Sequence, residues 1–234
     1  METTLSVFCA GAVKSAVVDF ASSFQRDTGH RVQFAFGTVG SLQAKAAAGE
    51  AVDVLILTRP ALEQMESKGK VLAETIVDLG RVGVGIAVRG DAPVPDVSTP
   101  EALRKSLIAA KSLAYGDPAK GDSSGIHFAA VLKRLDIARE INMKVVLAPV
   151  GLAVAELVEK GDVEMGATQA SVILARKTVK LAGLLPASLQ HITTYAAAVA
   201  ANSASVEAAK RFVACLTTPA AKSSFAKAGF DQAS

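Results

Sequence analysis

The sequence predicts an α/β protein of two lobes, and three observations carry that prediction. Short apolar runs alternate with stretches of helical periodicity along the whole 234-residue chain. Two long extended segments, 76–88 and 191–201, bracket the middle of the chain as two connections between lobes would. Small-residue turns follow the strands and open onto helix starts, the places where open α/β sheets hold ligands.

Taken in order, 5–10 reads as a strand. Val13, Ala16, Val17, Phe20 and Phe24 then recur at helical spacing, with Lys14, Ser15, Asp19 and Gln25 off that face, until Gly29 stops the helix. Val32, Phe34 and Phe36 alternate with Gln33 and Ala35 as a strand should. A helix over 41–48 ends at Gly49, and 52–57 is the unbroken apolar run of a strand covered on both faces. Pro60 suits the first turn of a helix reaching about Lys68, and Gly80, Gly83 and Gly85 mark a bend or crossing in the extended 76–88. Thr99-Pro100-Glu101 opens a helix to about Lys111, and a strand over 112–115 ends in Gly116-Asp117-Pro118. Residues 121–125 feed a helix over 126–135. A strand at 144–147, a helix at 151–159, a strand at 163–168 and a helix at 170–176 follow. After the second extended segment, helices over 206–216 and 219–228 close the chain. The expected lobes are residues 1–81 plus 198–234, and residues 82–197. The discontinuous lobe leaves two linkers to hinge, with strand ends and helix starts of both lobes facing one cleft.

Composition narrows the function. Half the residues are hydrophobic, enough for a sizeable core. The formal net charge of +3 comes from 25 basic and 22 acidic residues mixed along the chain, which argues against nucleic acid as a partner. No apolar run approaches the ~20 residues of a membrane-spanning helix, so no membrane insertion is expected. Met1-Glu-Thr-Thr4 has no basic segment before an apolar one. The expected location is the periplasm if a signal peptide has been removed ahead of Met1, and the cytoplasm if Met1 is the native start. Cys9 and Cys215 make no metal or redox motif, Cys9 reads as buried filler, and no metal or cofactor is expected.

The turns around Gly11 and over 37–41 place unpaired N–H groups and the positive end of a helix dipole together, which suits a small negative ligand. Thr58-Arg59 follows a strand, so Arg59 either offers a bidentate fork to a carboxylate or sits exposed beside Pro60. Arg81 reaches the cleft or makes a surface ion pair. Lys14, in a first helical turn where the dipole disfavours a cation, is either solvated or turned to a ligand. His127 is a proton shuttle or a structural histidine, while His30 and His191 read as surface positions. Ser123-Ser124 lacks a triad pattern and reads as a donor pair, with Asp122 capping the helix.

The phrases Leu5-Ser-Val-Phe-Cys-Ala-Gly-Ala12, Phe36-Gly-Thr-Val-Gly-Ser-Leu42, Ala51-Val-Asp-Val-Leu-Ile-Leu57, Gly116-Asp-Pro118 and Leu157-Val-Glu159 span nearly the whole chain. In this order they resemble the periplasmic molybdate-binding proteins of ABC importers. The resemblance implies the type II periplasmic-binding fold, each lobe a mixed, mostly parallel sheet flanked by helices, with the ligand cleft between lobes. That family holds its oxyanion with serine hydroxyls from the first two loops, backbone N–H groups and a tyrosine hydroxyl. In this chain the serine positions fall on Ala12 and Val39, and the tyrosine position on Gln169; the backbone donors would be Ser124 and Gly151. A tetrahedral oxyanion would lose several bonds of ~1.5–3 kcal/mol each, which excludes molybdate and tungstate as expected ligands. What replaces them is Thr38, Gly40 and Ser41 on one side and Ser123, Ser124, Gly125 and Gln169 on the other, a donor set suited to a larger anion such as an organic di- or tricarboxylate.

Two functions follow as expectations. The first is a solute-binding protein that captures a small anionic ligand and works with the membrane component of an ABC importer. The alternative is a cofactor-independent isomerase of the aconitate-isomerase type, a relative on the same scaffold. It would hold carboxylates on Arg59, Thr38, Ser41 and the Ser124 N–H, with His127 or Lys14 moving the proton. A ligand-sensing domain of a regulator shares the fold and is the weaker third expectation.

Overall fold

Strand β1 (Thr4–Ala10) puts Leu5, Val7 and Cys9 on one face and Phe8 and Ala10 on the other, and all five are buried. A computed structural model describes residues 3–231. A strand buried on both faces belongs in the middle of a sheet, and β1 lies between β2 (Arg31–Gly37) and β3 (Val54–Thr58), parallel to both.

The chain forms two units. One combines the residues up to Arg81 with those from Thr193 onward, and the other is Val82–Ile192. The crossings fall within β4 (Val77–Arg89) and at the start of β9 (Ile192–Val199).

In the first unit the strand order is β2-β1-β3-β9, with β9 antiparallel to β3. A 3-10 turn over Gly11–Val13 leads into α1 (Lys14–Thr28), which ends where Gly29 takes φ 74 and donates its N–H to Gln25. Helices α2 (Val39–Ala47) and α3 (Arg59–Glu66) follow β2 and β3. Phe24 on α1 meets Phe212 edge-on at 5.2 Å, which ties α1 to α9 (Val206–Cys215); α10 (Pro219–Lys227) also packs on α1. Asp53 fastens the far end of β1, accepting from the Ser6 N–H at 2.8 Å and the Ser203 hydroxyl at 2.6 Å.

The second unit repeats the plan around β5 (Leu113–Gly116). Its neighbours β6 (Val145–Ala148) and β7 (Met165–Gln169) run parallel to it, β4 pairs antiparallel to β7, and β8 (Val179–Leu184) pairs antiparallel to β4. Alternation splits the core in two. Ile86, Leu113 and Tyr115 pack with Leu103 of α4 (Pro100–Ala109), Phe128 of α5 (Ser123–Arg134) and Ile141 of α6 (Ala138–Asn142). Ala87 and Ala114 pack on the opposite face with Val154 and Val158 of α7 (Gly151–Lys160) and Ile173 of α8 (Ala170–Leu174). Gly166 lets α7 lie close, because a Cβ there would come within 2.8 Å of both valines.

The sequence reading passed over β8 and α6. Among the described residues β8 pairs with β4 alone and its register is irregular at Ile86/Ala87, while α6 is five residues long, too short to show a period. In both units the chain leaves the middle strand for one neighbour and returns on the other side. Open α/β sheets hold ligands at such a reversal, and α1, α2, α5 and α7 start beyond the carboxyl ends of those strands.

Candidate functional site

In the first unit, α1, α2 and α3 begin just beyond the carboxyl ends of β1, β2 and β3. Thr38 is the N-cap of α2. Its Oγ1 accepts the Ser41 N–H at 3.1 Å, while Ser41 Oγ donates to the Thr38 carbonyl at 3.0 Å. The two hydroxyls expected to face a ligand therefore serve each other's backbone. Val39 is 8% exposed and Ala12 half-buried, and neither side chain carries a hydroxyl. Thr58 caps α3 by position and is buried.

Arg59 is committed elsewhere. Its Nε donates to Glu63 and its Nη1 to Asp78, both at 2.9 Å, and these bonds, that to Asp78 first, push its pKa up. Such half-exposed pairs contribute at most about 1 kcal/mol each. They nonetheless engage the fork that the sequence reading offered to a carboxylate. Lys14 is exposed and holds its Nζ 5.1 Å from the centre of the Phe36 ring, itself stacked on Phe34. This keeps a cation at the carboxyl edge of the sheet. Arg81 is exposed, and its backbone pairs with Asp231.

In the second unit Asp122 is the organising residue. It is 6% exposed, and its carboxylate accepts from three donors. Oδ1 takes the Gly125 N–H at 2.8 Å and the Ser124 hydroxyl at 2.6 Å, and Oδ2 takes the Gly151 N–H at 2.9 Å. Capping of α5 was legible; the reach to the start of α7 was not. The Gly125 and Gly151 N–H groups, which the sequence reading offered to a ligand, are here given to Asp122. Glycine is required around the carboxylate: a Cβ on Gly116 would lie 2.2 Å from Asp122 Cγ, and one on Gly125 would lie 1.8 Å from the Gly116 carbonyl oxygen. Thr168, fully buried and absent from the sequence reading, donates its hydroxyl to the Gly151 carbonyl at 3.4 Å. Ser123 is half-buried at the start of α5, and Gln169 is 2% exposed where β7 passes into α8.

His127 is tied down. Its Nε2 lies 2.8 Å from the Leu189 carbonyl, an acceptor only, so Nε2 carries the proton and Nδ1 keeps the lone pair. Burial pushes its pKa below the ordinary histidine value, and His191, whose ring lies 5.3 Å away, and Arg134 add to that; the Leu189 bond opposes it. Arg134 itself donates to the Ser188 carbonyl at 3.0 Å. His191 is exposed as expected. His30 is not a simple surface residue: it is half-buried near Phe24, and its Nδ1 has no hydrogen-bond partner among the described residues. Cys9 is fully buried, which pushes its thiol pKa up and leaves it inert. Among the described residues no helix is long and apolar enough to cross a membrane, and no group of three His, Cys, Asp or Glu side chains is placed to hold a metal ion.

Comparison with known proteins adds a second line. Residues 5–231 match the family described as bacterial extracellular solute-binding protein. The chain is 28% identical to aconitate isomerase from Pseudomonas sp over 222 residues, 92% of this chain and 83% of that protein. Among solved structures, the Azotobacter vinelandii periplasmic molybdate-binding protein is similar with a TM-score of 0.81 at 18% identity, covering 98% of this chain and 100% of that one. The sulfate-binding protein SubI from Mycobacterium tuberculosis H37Rv is similar with a TM-score of 0.77 at 17% identity, covering 98% and 86%. At such identities the structures speak for the fold alone.

Proposed function

This chain belongs to the family of bacterial extracellular solute-binding proteins and has the type II periplasmic-binding fold, and we propose that its solute is a small organic di- or tricarboxylate rather than molybdate. The observation that carries the reading is the character of three positions. Ala12, Val39 and Gln169 stand where the resemblance calls for hydroxyl donors, and Val39 and Gln169 are nearly sealed from solvent. The groups that suit a carboxylate lie at the starts of α1 and α2, around Ala12, Thr38, Val39 and Gly40, with Lys14 as the nearby cation and the Ser41 N–H already held by Thr38. In the second unit they are Ser123, the Ser124 backbone N–H and Gln169. Thr58 borders the first set, and Arg59 joins only by giving up an ion pair. Delivery to the membrane component of an ABC importer completes the role.

Isothermal titration against molybdate, sulfate, citrate, malate, succinate and both aconitate isomers at one ionic strength tests this. Binding of a carboxylate with silence toward molybdate supports the reading, and the reverse pattern refutes it.

The likeness to aconitate isomerase favours a second reading on the same residues. Here a base removes a proton α to a carboxylate, the electron pair spreads over the allylic carbons, and the proton returns at the far carbon so that the double bond has moved. His127 Nδ1, kept unprotonated by burial, or Lys14 would act as the base. Proton NMR of cis- and trans-aconitate incubated with the protein separates a receptor, which leaves both unchanged, from an isomerase.

A further inference from the structure

We propose that Asp122 sets the ligand class of the second unit by filling, as a tethered anion, the donor cradle that a free tetrahedral oxyanion would need. The inference rests on the carboxylate reading above and deepens it. The cradle is built from two helix starts that converge: the Gly125 N–H and Ser124 hydroxyl of α5, and the Gly151 N–H of α7, all aimed at one carboxylate at 2.6–2.9 Å. Backbone N–H groups and a hydroxyl are what binds a small oxyanion at helix N-termini. Here the anion is part of the chain, and it is buried, so solvent does little to screen its charge.

The surroundings are shaped to this occupant. Gly116 yields the space of the Asp122 carboxylate, Gly125 lets the first turn of α5 touch the end of β5, and a Cβ on Gly151 would crowd Thr168 Oγ1 at 2.7 Å. A dianion brought here would meet like charge and would find Gly125 and Gly151 engaged. Ser123 and Gln169, at the starts of α5 and α8, are uncharged, so neither brings the positive charge that would offset a dianion beside Asp122.

The test is Asp122→Ser, which removes the charge and releases Gly151 while keeping a good N-cap for α5. Asp122→Asn, nearly isosteric, is the second variant should the first fold poorly, and circular dichroism checks both. Titration with sulfate, molybdate and the carboxylate panel at one ionic strength gives the readout as a selectivity ratio. We expect at least a tenfold gain for sulfate and molybdate over the unmodified protein, with carboxylate affinity changing less. Folded variants that bind oxyanions no tighter, or that weaken toward every ligand in equal proportion, would make Asp122 a structural cap and overturn the proposal. Failure of the unmodified protein to bind any carboxylate would instead strike the solute class, and the variants' response to sulfate would still judge Asp122.

Discussion

Replacing Asp122 by alanine should cost about 3–5 kcal/mol of folding stability, because three buried donors lose their acceptor together. The figure follows from the bonds at the carboxylate. Loss of the N-cap bond to Gly125 alone costs ~1 kcal/mol. The Ser124 and Gly151 donors each lose a bond to a charged acceptor, about 1.5–3 kcal/mol apiece, offset in part by water entering the vacated space. Against a typical total of ~5–15 kcal/mol this is a large share. Urea titration followed by far-ultraviolet circular dichroism at pH 7.5 measures it, with Ser124→Ala as the comparison that removes one bond. Ser124→Ala should cost roughly 1–2 kcal/mol. A loss below about 1 kcal/mol in Asp122→Ala would refute the reasoning, because it would mean that the carboxylate is not what joins α5 to α7.

Three further outcomes follow from the same geometry. Gly125→Ala should destabilise as severely as Asp122→Ala, since its Cβ would meet a backbone oxygen at 1.8 Å that no rotamer can move aside; Gly29→Ala, at φ 74 with nothing within 4 Å, should cost only about 1–2 kcal/mol in the same titration. His127 makes stability depend on pH: the unfolded chain takes up a proton near pH 6.5 that the folded ring resists, so stability falls as pH drops from 7.5 through 6.5 toward the lowered folded pKa. His127→Gln should flatten that fall between pH 7.5 and 5.5, and an unchanged slope in urea midpoints would remove His127 as its source. Restoring hydroxyls with Ala12→Ser and Val39→Ser together should raise molybdate affinity, read by titration, at some cost in packing at the buried Val39.

Local signals were legible because they are local. Gly29 ended α1, prolines opened α3, α4 and α10, and the alternation in β2 and the apolar run in β3 placed the sheet. The resemblance carried by the loop phrases identified the fold. Contacts between distant residues were not legible. Asp122 meets Gly151 across 29 positions, His127 meets Leu189 across 62, and Arg59 meets Asp78 across 19. Each adds a partner that spacing could not show: Asp122 braces two helices besides capping one, His127 Nε2 is held by a carbonyl, and the Arg59 fork meets two carboxylates of its own chain. Spacing along the chain reports which side chains share a face, not which carbonyl or carboxylate that face will meet.

The central claim is that this solute-binding protein selects an organic carboxylate over a tetrahedral oxyanion. Its most direct test is a competition titration of the unmodified protein with tricarboxylate and molybdate at equal concentration and fixed ionic strength. The account predicts that the tricarboxylate binds and that molybdate does not displace it. Molybdate binding, with the tricarboxylate silent, would contradict it.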